Sequence, residues 1–260
     1  MKTSSILLAA LLGTAITAQA QGPVYSVNIV GIQKVDVSPT SLEMIANPFV
    51  KADSSVQSIL GTGFDAGLSP DEADKIYIFD SAANGYKLYY LYNNPGNPND
   101  PRNNKWLDEN NQVATEQLTP GKGFFLQNTL GVATNTLSMV GDVVTTPSVT
   151  TQIVPGLNQI SYPYSTSIAI NDLALKTANG VVSAFSPDDG DNIYLWSQQM
   201  NTYIRYFLYN NPGNASDPRN NKWLDENNQI ATNSIEPGQS FFYQRFTSAP
   251  TLNWTETKPY

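Results

Sequence analysis

Residues 92–115 read YNNPGNPNDPRNNKWLDENNQVAT, and residues 209–232 read YNNPGNASDPRNNKWLDENNQIAT. The two stretches are identical at 21 of 24 positions and lie 117 residues apart. Asparagine, aspartate, proline and glycine dominate both, and these residues favour turns. The chain therefore carries one polar, turn-rich loop twice, which indicates an internal duplication.

The segments that flank the two loops have diverged more than the loops themselves. Between 74–91 and 191–208, 7 of 18 positions are identical, and between 116–127 and 233–244, 5 of 12 are identical. Loops normally vary faster than the elements that they connect. A functional constraint on the loop would leave this pattern, and so would a recent local gene conversion.

Segments rich in aromatic and β-branched residues surround both loops and predict strands. The predicted strands are 24–37, 42–46, 76–79, 86–92, 123–127 and 136–140 in the first copy, and 157–161, 193–196, 203–209, 240–244 and 251–255 in the second. Residues 140–154 also have a strand-like composition. Asn84-Gly85 is a strong hairpin signal between two of these strands.

Each copy also contains one segment that predicts a short helix. In the first copy, Asp53 fits an N-cap and Gly61 fits a stop. In the second copy, the helix is predicted at 168–176, before Asn179 and Gly180.

These elements predict an all-β fold of two tandem homologous β-sandwich or barrel-like units of about 115 residues, each with one short helix. The predicted division is a signal peptide at 1–20, a first repeat unit at 21–139 and a second at 140–260. No linker rich in serine, glycine or proline separates the units, so we expect them to pack together.

The first twenty residues, MKTSSILLAALLGTAITAQA, have a basic start at Lys2, an apolar run and small residues at Ala18 and Ala20. This pattern is typical of a Sec signal peptide. We therefore expect cleavage near Ala20 and a secreted, periplasmic or cell-surface protein. No later segment approaches the roughly 18 apolar residues of a membrane helix, so no membrane span is predicted.

The composition disfavours nucleic acid as a partner and excludes several classes of enzyme. The formal net charge is −8, and an acidic surface disfavours nucleic acid as a partner. The chain contains no histidine and no cysteine, which excludes serine triads with a histidine base, cysteine proteases and histidine-ligated zinc hydrolases. Carboxylate, tyrosine and lysine chemistry remain.

Several motifs are shared with a known group of proteins. Residues 26–31 read SVNIVG, Asn47-Pro48 ends a predicted strand, and 120–125 and 237–242 both carry a PGxxFF element. With the aromatic strands and loop tryptophans, these features resemble uncharacterised exported bacterial two-repeat β proteins over nearly the whole mature chain. The resemblance implies a secreted all-β protein and no active site. The asparagine-rich loop is longer than in that group, and Tyr162-Pro163 replaces the second Asn-Pro pair.

Each loop combines tyrosine and tryptophan with asparagine, aspartate and arginine. These residue types suit a sugar site, because an aromatic ring packs on the apolar face of a pyranose while polar groups bind its hydroxyls. In a structural interpretation, each tryptophan instead fills its own core, Arg102 pairs with Asp108, and the asparagines stabilise turns. The candidate ligand- or partner-binding residues are Tyr92, Asp100, Arg102, Trp106 and Asp108, with Tyr209, Asp217, Arg219, Trp223 and Asp225.

The carboxylates leave two further alternatives. Ca²⁺ prefers oxygen ligands, which Asp100, Asp108, Glu109 and their counterparts or the acidic turns at 71–74 and 188–191 would supply, although the spacing matches no EF-hand. No other cofactor is predicted. Paired carboxylates can also hydrolyse glycosides. Because the candidate acids occur once in each copy, and a duplicated catalytic centre in units this small is unusual, we do not expect an enzyme.

The sequence favours a non-catalytic, exported structural or adhesive protein that acts by surface contact through the duplicated loops. The first alternative is a carbohydrate-binding module that uses the loop tryptophans, and a carboxylate-based glycoside hydrolase is less favoured. The expected partner is a glycan or an envelope or matrix protein, and two loops would supply avidity for a polymer. Self-association is a further alternative.

Overall fold

The computed structural model describes residues 29–131, 133–197, 200 and 202–260. The predicted signal peptide and residues 24–28 of the first predicted strand lie outside this part of the chain. The strands are β1 (Val30–Val37), β2 (Leu42–Ala46), β3 (Phe49–Val50), β4 (Lys75–Asp80), β5 (Gly85–Tyr92), β6 (Lys105–Asp108), β7 (Gly123–Gln127), β8 (Asn135–Val143), β9 (Ser148–Ile153), β10 (Gly156–Ser161), β11 (Ile168–Ala169), β12 (Asn192–Ser197), β13 (Thr202–Tyr209), β14 (Lys222–Asp225), β15 (Ser234–Ile235), β16 (Ser240–Arg245) and β17 (Leu252–Thr257).

The chain is mostly β, as predicted, and its strands form several antiparallel sheets. One five-stranded sheet has the order β2-β7-β4-β5-β6, and a second has the order β10-β16-β12-β13-β14. Each duplicated stretch begins at the last residue of the fourth strand of its sheet, β5 or β13, and contains the fifth strand, β6 or β14. The β4–β5 hairpin turns at Asn84, whose φ of 49° suits the Asn-Gly turn that the sequence predicts.

A strand pair lies against each five-stranded sheet. β1 pairs with β8, which also pairs with β3, and β9 pairs with β17. Inward side chains of β1 and β8, such as Val37 and Leu137, belong to one buried cluster with Trp106. Ile153 of the β9–β17 pair occupies an equivalent but distinct cluster with Trp223. Each five-stranded sheet therefore has its own hydrophobic core.

The two sheets join through backbone bonds at equivalent positions. Ala46 N–H donates to the Gly238 carbonyl at 2.8 Å, and Ser161 N–H donates to the Gly121 carbonyl at 3.0 Å. Aromatic rings fill the space between the sheets, where Phe79 and Phe242 meet edge to face with centroids 5.4 Å apart. The sheets are therefore packed together over a shared aromatic layer.

Of the two predicted helices, the first is present and the second is not. Residues 56–60 form the helix α1 (Val56–Leu60), which ends at Gly61 with φ 67°. Its N-cap is Ser55, which accepts a bond from Ser58 N–H, and Asp53 instead accepts a bond from Ser55 N–H. The prediction of Asp53 as the cap is wrong by two residues.

The second predicted helix, at 168–176, is wrong as an α-helix. The segment contains β11 and a 3₁₀ turn at Ile170–Asp172. The side chain of Asn171 accepts from Trp223 N–H at 2.8 Å and donates to the Ala231 carbonyl at 2.9 Å. These bonds to the loop hold the segment close to β14, which replaces the packing of a regular helix.

Among the residues from Ile29 onward that the structure describes, no helix has the length and apolar character needed to cross a membrane.

Candidate functional site

Both loop tryptophans are buried. Trp106 and Trp223 are each 0% exposed. The indole N–H of Trp106 donates to the Gly61 carbonyl at 2.9 Å, and that of Trp223 donates to the Leu175 carbonyl at 3.1 Å. Each ring lies in the core of its own sheet and presents no face to a ligand, in agreement with the structural interpretation of the sequence.

A tyrosine, an aspartate and an arginine connect each loop to its strand. Arg102 donates from Nε and Nη2 to the two carboxylate oxygens of Asp100 at 3.0 and 2.8 Å, and the guanidinium lies 4.9 Å from the centre of the Tyr92 ring. Tyr92 Oη donates to Asp100 at 3.2 Å. The expected pairing of Arg102 with Asp108 is wrong, because Asp100 lies two residues away and receives both arms of the guanidinium.

The second loop repeats this arrangement within 0.1 Å. Arg219 donates to Asp217 at 3.0 and 2.8 Å, its guanidinium is 4.9 Å from the Tyr209 ring centre, and Tyr209 Oη donates to Asp217 at 3.3 Å. In both loops the hydrogen bonds from arginine hold the pKa of the aspartate well below its usual range. Asp100 and Asp217 are therefore ionised acceptors that lock the loop, and neither is suited to act as a general acid.

The remaining candidate carboxylates also have local partners. Asp108 Oδ1 accepts from Asn110 N–H at 2.9 Å and Gln112 N–H at 2.8 Å. Asp225 makes the same two bonds to Asn227 and Gln229 at 2.9 and 2.8 Å. These carboxylates shape the tight turn after β6 and β14.

The asparagines stabilise turns, as the structural interpretation expects. Asn94 Oδ1 accepts from Gly96 N–H, and Asn103 Oδ1 accepts from Asn94 N–H at 2.7 Å. Asn104 and Asn111 have φ of 59°, a left-handed conformation that asparagine tolerates better than most residues. Much of the identity between the loops therefore has a structural cause.

Packing does not account for all of that identity. The exposed side chains include Asn97, Lys105, Glu109 and Asn110, and the second loop exposes identical residues at the equivalent positions. The exposed aliphatic residue at the loop end is 47% accessible as Val113 and 45% accessible as Ile230. The three positions that differ between the loops are exposed too: Pro98 and Ala215, Asn99 and Ser216, Val113 and Ile230. The two loops therefore present closely similar polar surfaces with one apolar side chain at the end.

The described residues contain no group of three or more carboxylates placed to hold a metal ion. In the acidic turns, Asp74 is buried and accepts from Asp65 N–H, Thr129 N–H and the Asn135 side chain. Asp191 is buried and pairs with Arg245 at 2.6 Å. Both aspartates have protein partners at the position where the calcium alternative needs open oxygen ligands.

One accessible aromatic surface lies away from the loops, in a cleft between the two sheets. Another aromatic ring, Phe185, is 63% exposed and packs 5.7 Å from the Tyr209 ring at the second loop. Tyr86 is 49% exposed and Tyr203 is 37% exposed, and they line a cleft of about 300 Å³ with Phe125 and Gln127. Burial raises the pKa of Tyr203 to about 12. This cleft is not among the sites expected from the sequence. A signal for it in the sequence is that Tyr86 and Tyr203 occupy equivalent positions at an offset of 117.

Comparisons with protein-family models, with curated proteins and with solved structures find no match for this chain.

Proposed function

We propose that this protein is a non-catalytic, exported structural or adhesive component that binds an envelope or matrix partner through its two duplicated loops. The observation that carries the proposal is the pair of loop surfaces, which expose the same side chains at most positions on closely similar backbones. A loop that is already ordered loses little conformational entropy when it binds. Two such loops on one chain also suit a repetitive partner.

The proposal includes a duplicated architecture of two homologous units. The 21 of 24 identical loop positions support it, as do the matching strand orders of the two five-stranded sheets. The Asp-Arg-Tyr geometry, the same in both loops within 0.1 Å, supports it further. In this account the unit boundary lies near residue 140, and residues 1–20 direct export.

The absence of catalysis is also part of the proposal. Asp100 is paired with Arg102, and Asp108 is bonded to two backbone N–H groups, so these loop acids have structural partners. A glycoside hydrolase requires one carboxyl group that carries a proton at working pH, and the low pKa of Asp100 and Asp217 disfavours that role.

The test is co-sedimentation of the purified chain with envelope fractions. Glu109→Lys combined with Glu226→Lys reverses one exposed charge in each loop without touching a buried group. We expect this variant to lose binding. Glu72→Lys with Asp189→Lys is the matched control, because these exposed acids also occupy equivalent positions but lie in the turn before β4 and β12. Equal binding by the loop variant and the wild type would refute the proposal.

Glycan binding is the second candidate function, with its site at the cleft beside Tyr86 and Tyr203 instead of the loop tryptophans. The buried tryptophans offer no stacking surface, whereas the cleft beside Tyr86 and Tyr203 offers half-exposed rings. If the protein binds glycans, Tyr86→Ala should abolish binding on a glycan array and Trp106→Phe should not. An array signal that is unchanged in Tyr86→Ala would remove this candidate.

A further inference from the structure

We infer that the free edge of β1 is a self-association surface, at which β1 of one copy pairs antiparallel with β1 of a second copy. This surface is separate from the duplicated loops and does not depend on the function proposed for them. Three features of β1 support the inference: its unpaired edge, the groove beside it and the order of its charges.

The edge of β1 that faces away from β8 is unpaired within the described part of the chain. Val143 N–H donates to the Ile29 carbonyl, so the odd-numbered residues of β1 bond to β8. The even-numbered residues therefore direct their N–H and C=O groups toward the free edge. An eight-residue edge strand of this kind is a template for pairing with another chain. The even-numbered residues are Val30, Ile32, Lys34 and Asp36.

An open groove of about 390 Å³ runs beside the middle of the free edge. Residues 33–36 line one side, and Met44, Trp196 and Gly238 line the other. Adding a strand beside β1 at the usual spacing of about 4.8 Å would place that strand in this groove. The groove lies beside Val35, where a two-fold axis between two β1 strands would pass.

The charges on β1 favour a second copy as the occupant. An antiparallel pair centred on Val35 places Lys34 of one copy opposite Asp36 of the other, and the two-fold symmetry repeats the contact. Both residues are exposed, and both belong to the set that faces the free edge. Two opposite-charge cross-strand pairs thus form from one sequence, and they also fix the register.

Charge-swap variants of the purified exported chain test the inference by sedimentation velocity over a range of concentrations. Wild type should dimerise. Lys34→Asp sets two carboxylates opposite each other in the cross-strand pair, and Asp36→Lys sets two ammonium groups opposite each other. Each variant alone should therefore be monomeric at concentrations where wild type is dimeric. An equal mixture of the two variants should recover a dimer, as should the double variant.

The mixture separates lost pairing from misfolding, because Asp36→Lys also removes a bond from Thr136 Oγ1 at 2.6 Å. Thr150→Asp with Gln152→Lys changes the comparable positions on β9 and should leave the dimer intact. A wild-type chain that stays monomeric at all concentrations would overturn the inference, including the case in which it binds an extended peptide instead. Single variants that dimerise as wild type does would overturn it as well. Loop binding is measured separately, so either proposal can fail alone.

Discussion

The guanidinium of Arg102 donates to both carboxylate oxygens of Asp100, at 3.0 and 2.8 Å, across the single residue Pro101. Asp100 also accepts a bond from Arg102 N–H at 3.0 Å. One carboxylate therefore fixes the side chain and the backbone of the same residue, and the same geometry recurs at Asp217 and Arg219.

Replacing Asp100 by asparagine should loosen the first loop alone. The variant loses the bidentate ion pair, so the amide protons of Arg102 and Asn103 should exchange several-fold faster. The second loop is an internal control, because Arg219 and Asn220 of the same molecule should exchange at the wild-type rate. If amide exchange became equally faster in both loops, or in neither loop, the result would contradict the role of Asp100 in ordering the first loop.

Trp106→Ala should destabilise the protein by about 3–5 kcal/mol, because it removes a fully buried indole and leaves a cavity. Trp106→Phe should cost less, since one aromatic ring is kept, although part of the buried volume and the bond to Gly61 are lost. Urea unfolding measures both changes. If Trp106→Ala lowered the free energy of unfolding by less than about 1 kcal/mol, the effect would be typical of a surface site and would contradict a core role for Trp106.

Glu256 should make the fold less stable at higher pH. Burial raises the pKa of its carboxyl group, which accepts bonds from Ala174 N–H at 2.6 Å and Trp254 Nε1 at 2.7 Å. An acid whose pKa is higher in the native state than in the unfolded state contributes its full stabilisation at pH values below its unfolded-state pKa. That stabilisation is lost as the pH rises through the native-state pKa. Glu256→Gln should therefore gain stability relative to wild type between about pH 4 and pH 8. The difference is read from urea unfolding at the two pH values, and a constant difference would contradict the prediction.

Gly123 lies at a close contact between the two sheets. A Cβ atom at this position would lie 2.6 Å from Ser240 Cβ, so Gly123→Ala should strain the contact by about 1–3 kcal/mol. Gly63→Ala is the control, since a Cβ atom there would meet nothing within 4 Å. Thermal unfolding compares the two variants. Equal stability would mean that the sheets move apart at little cost.

Strand positions could be predicted from the sequence because their signals are local. Alternating aromatic and β-branched residues predict β5 and β13, and Asn84-Gly85 predicts the turn between β4 and β5. The cap at Ser55 could not be separated from Asp53, because serine and aspartate are both good caps. The non-helical segment around Asn171 depends on bonds to Trp223 and Ala231, which are more than 50 residues away.

The loop could be located from the sequence, but the direction of its tryptophans could not. Trp106 is surrounded by Lys105 and Asp108, and this polar setting fits a surface ring as well as a buried one. The pairing of Arg102 was predicted with the wrong acid, since Asp100 and Asp108 are both within reach along the chain. The cleft between the two sheets depends on how the sheets pack, which no local pattern encodes.

The most direct test of the central claim is whether the two loops act as equivalent contacts. Binding to immobilised envelope material is measured for wild type, Lys105→Glu, Lys222→Glu and the double variant, each altered only at an exposed loop lysine. We predict that the single variants weaken binding equally and that the double variant loses it, because two linked contacts can raise avidity by about 10²–10⁴. A double variant that binds as tightly as wild type would contradict the account.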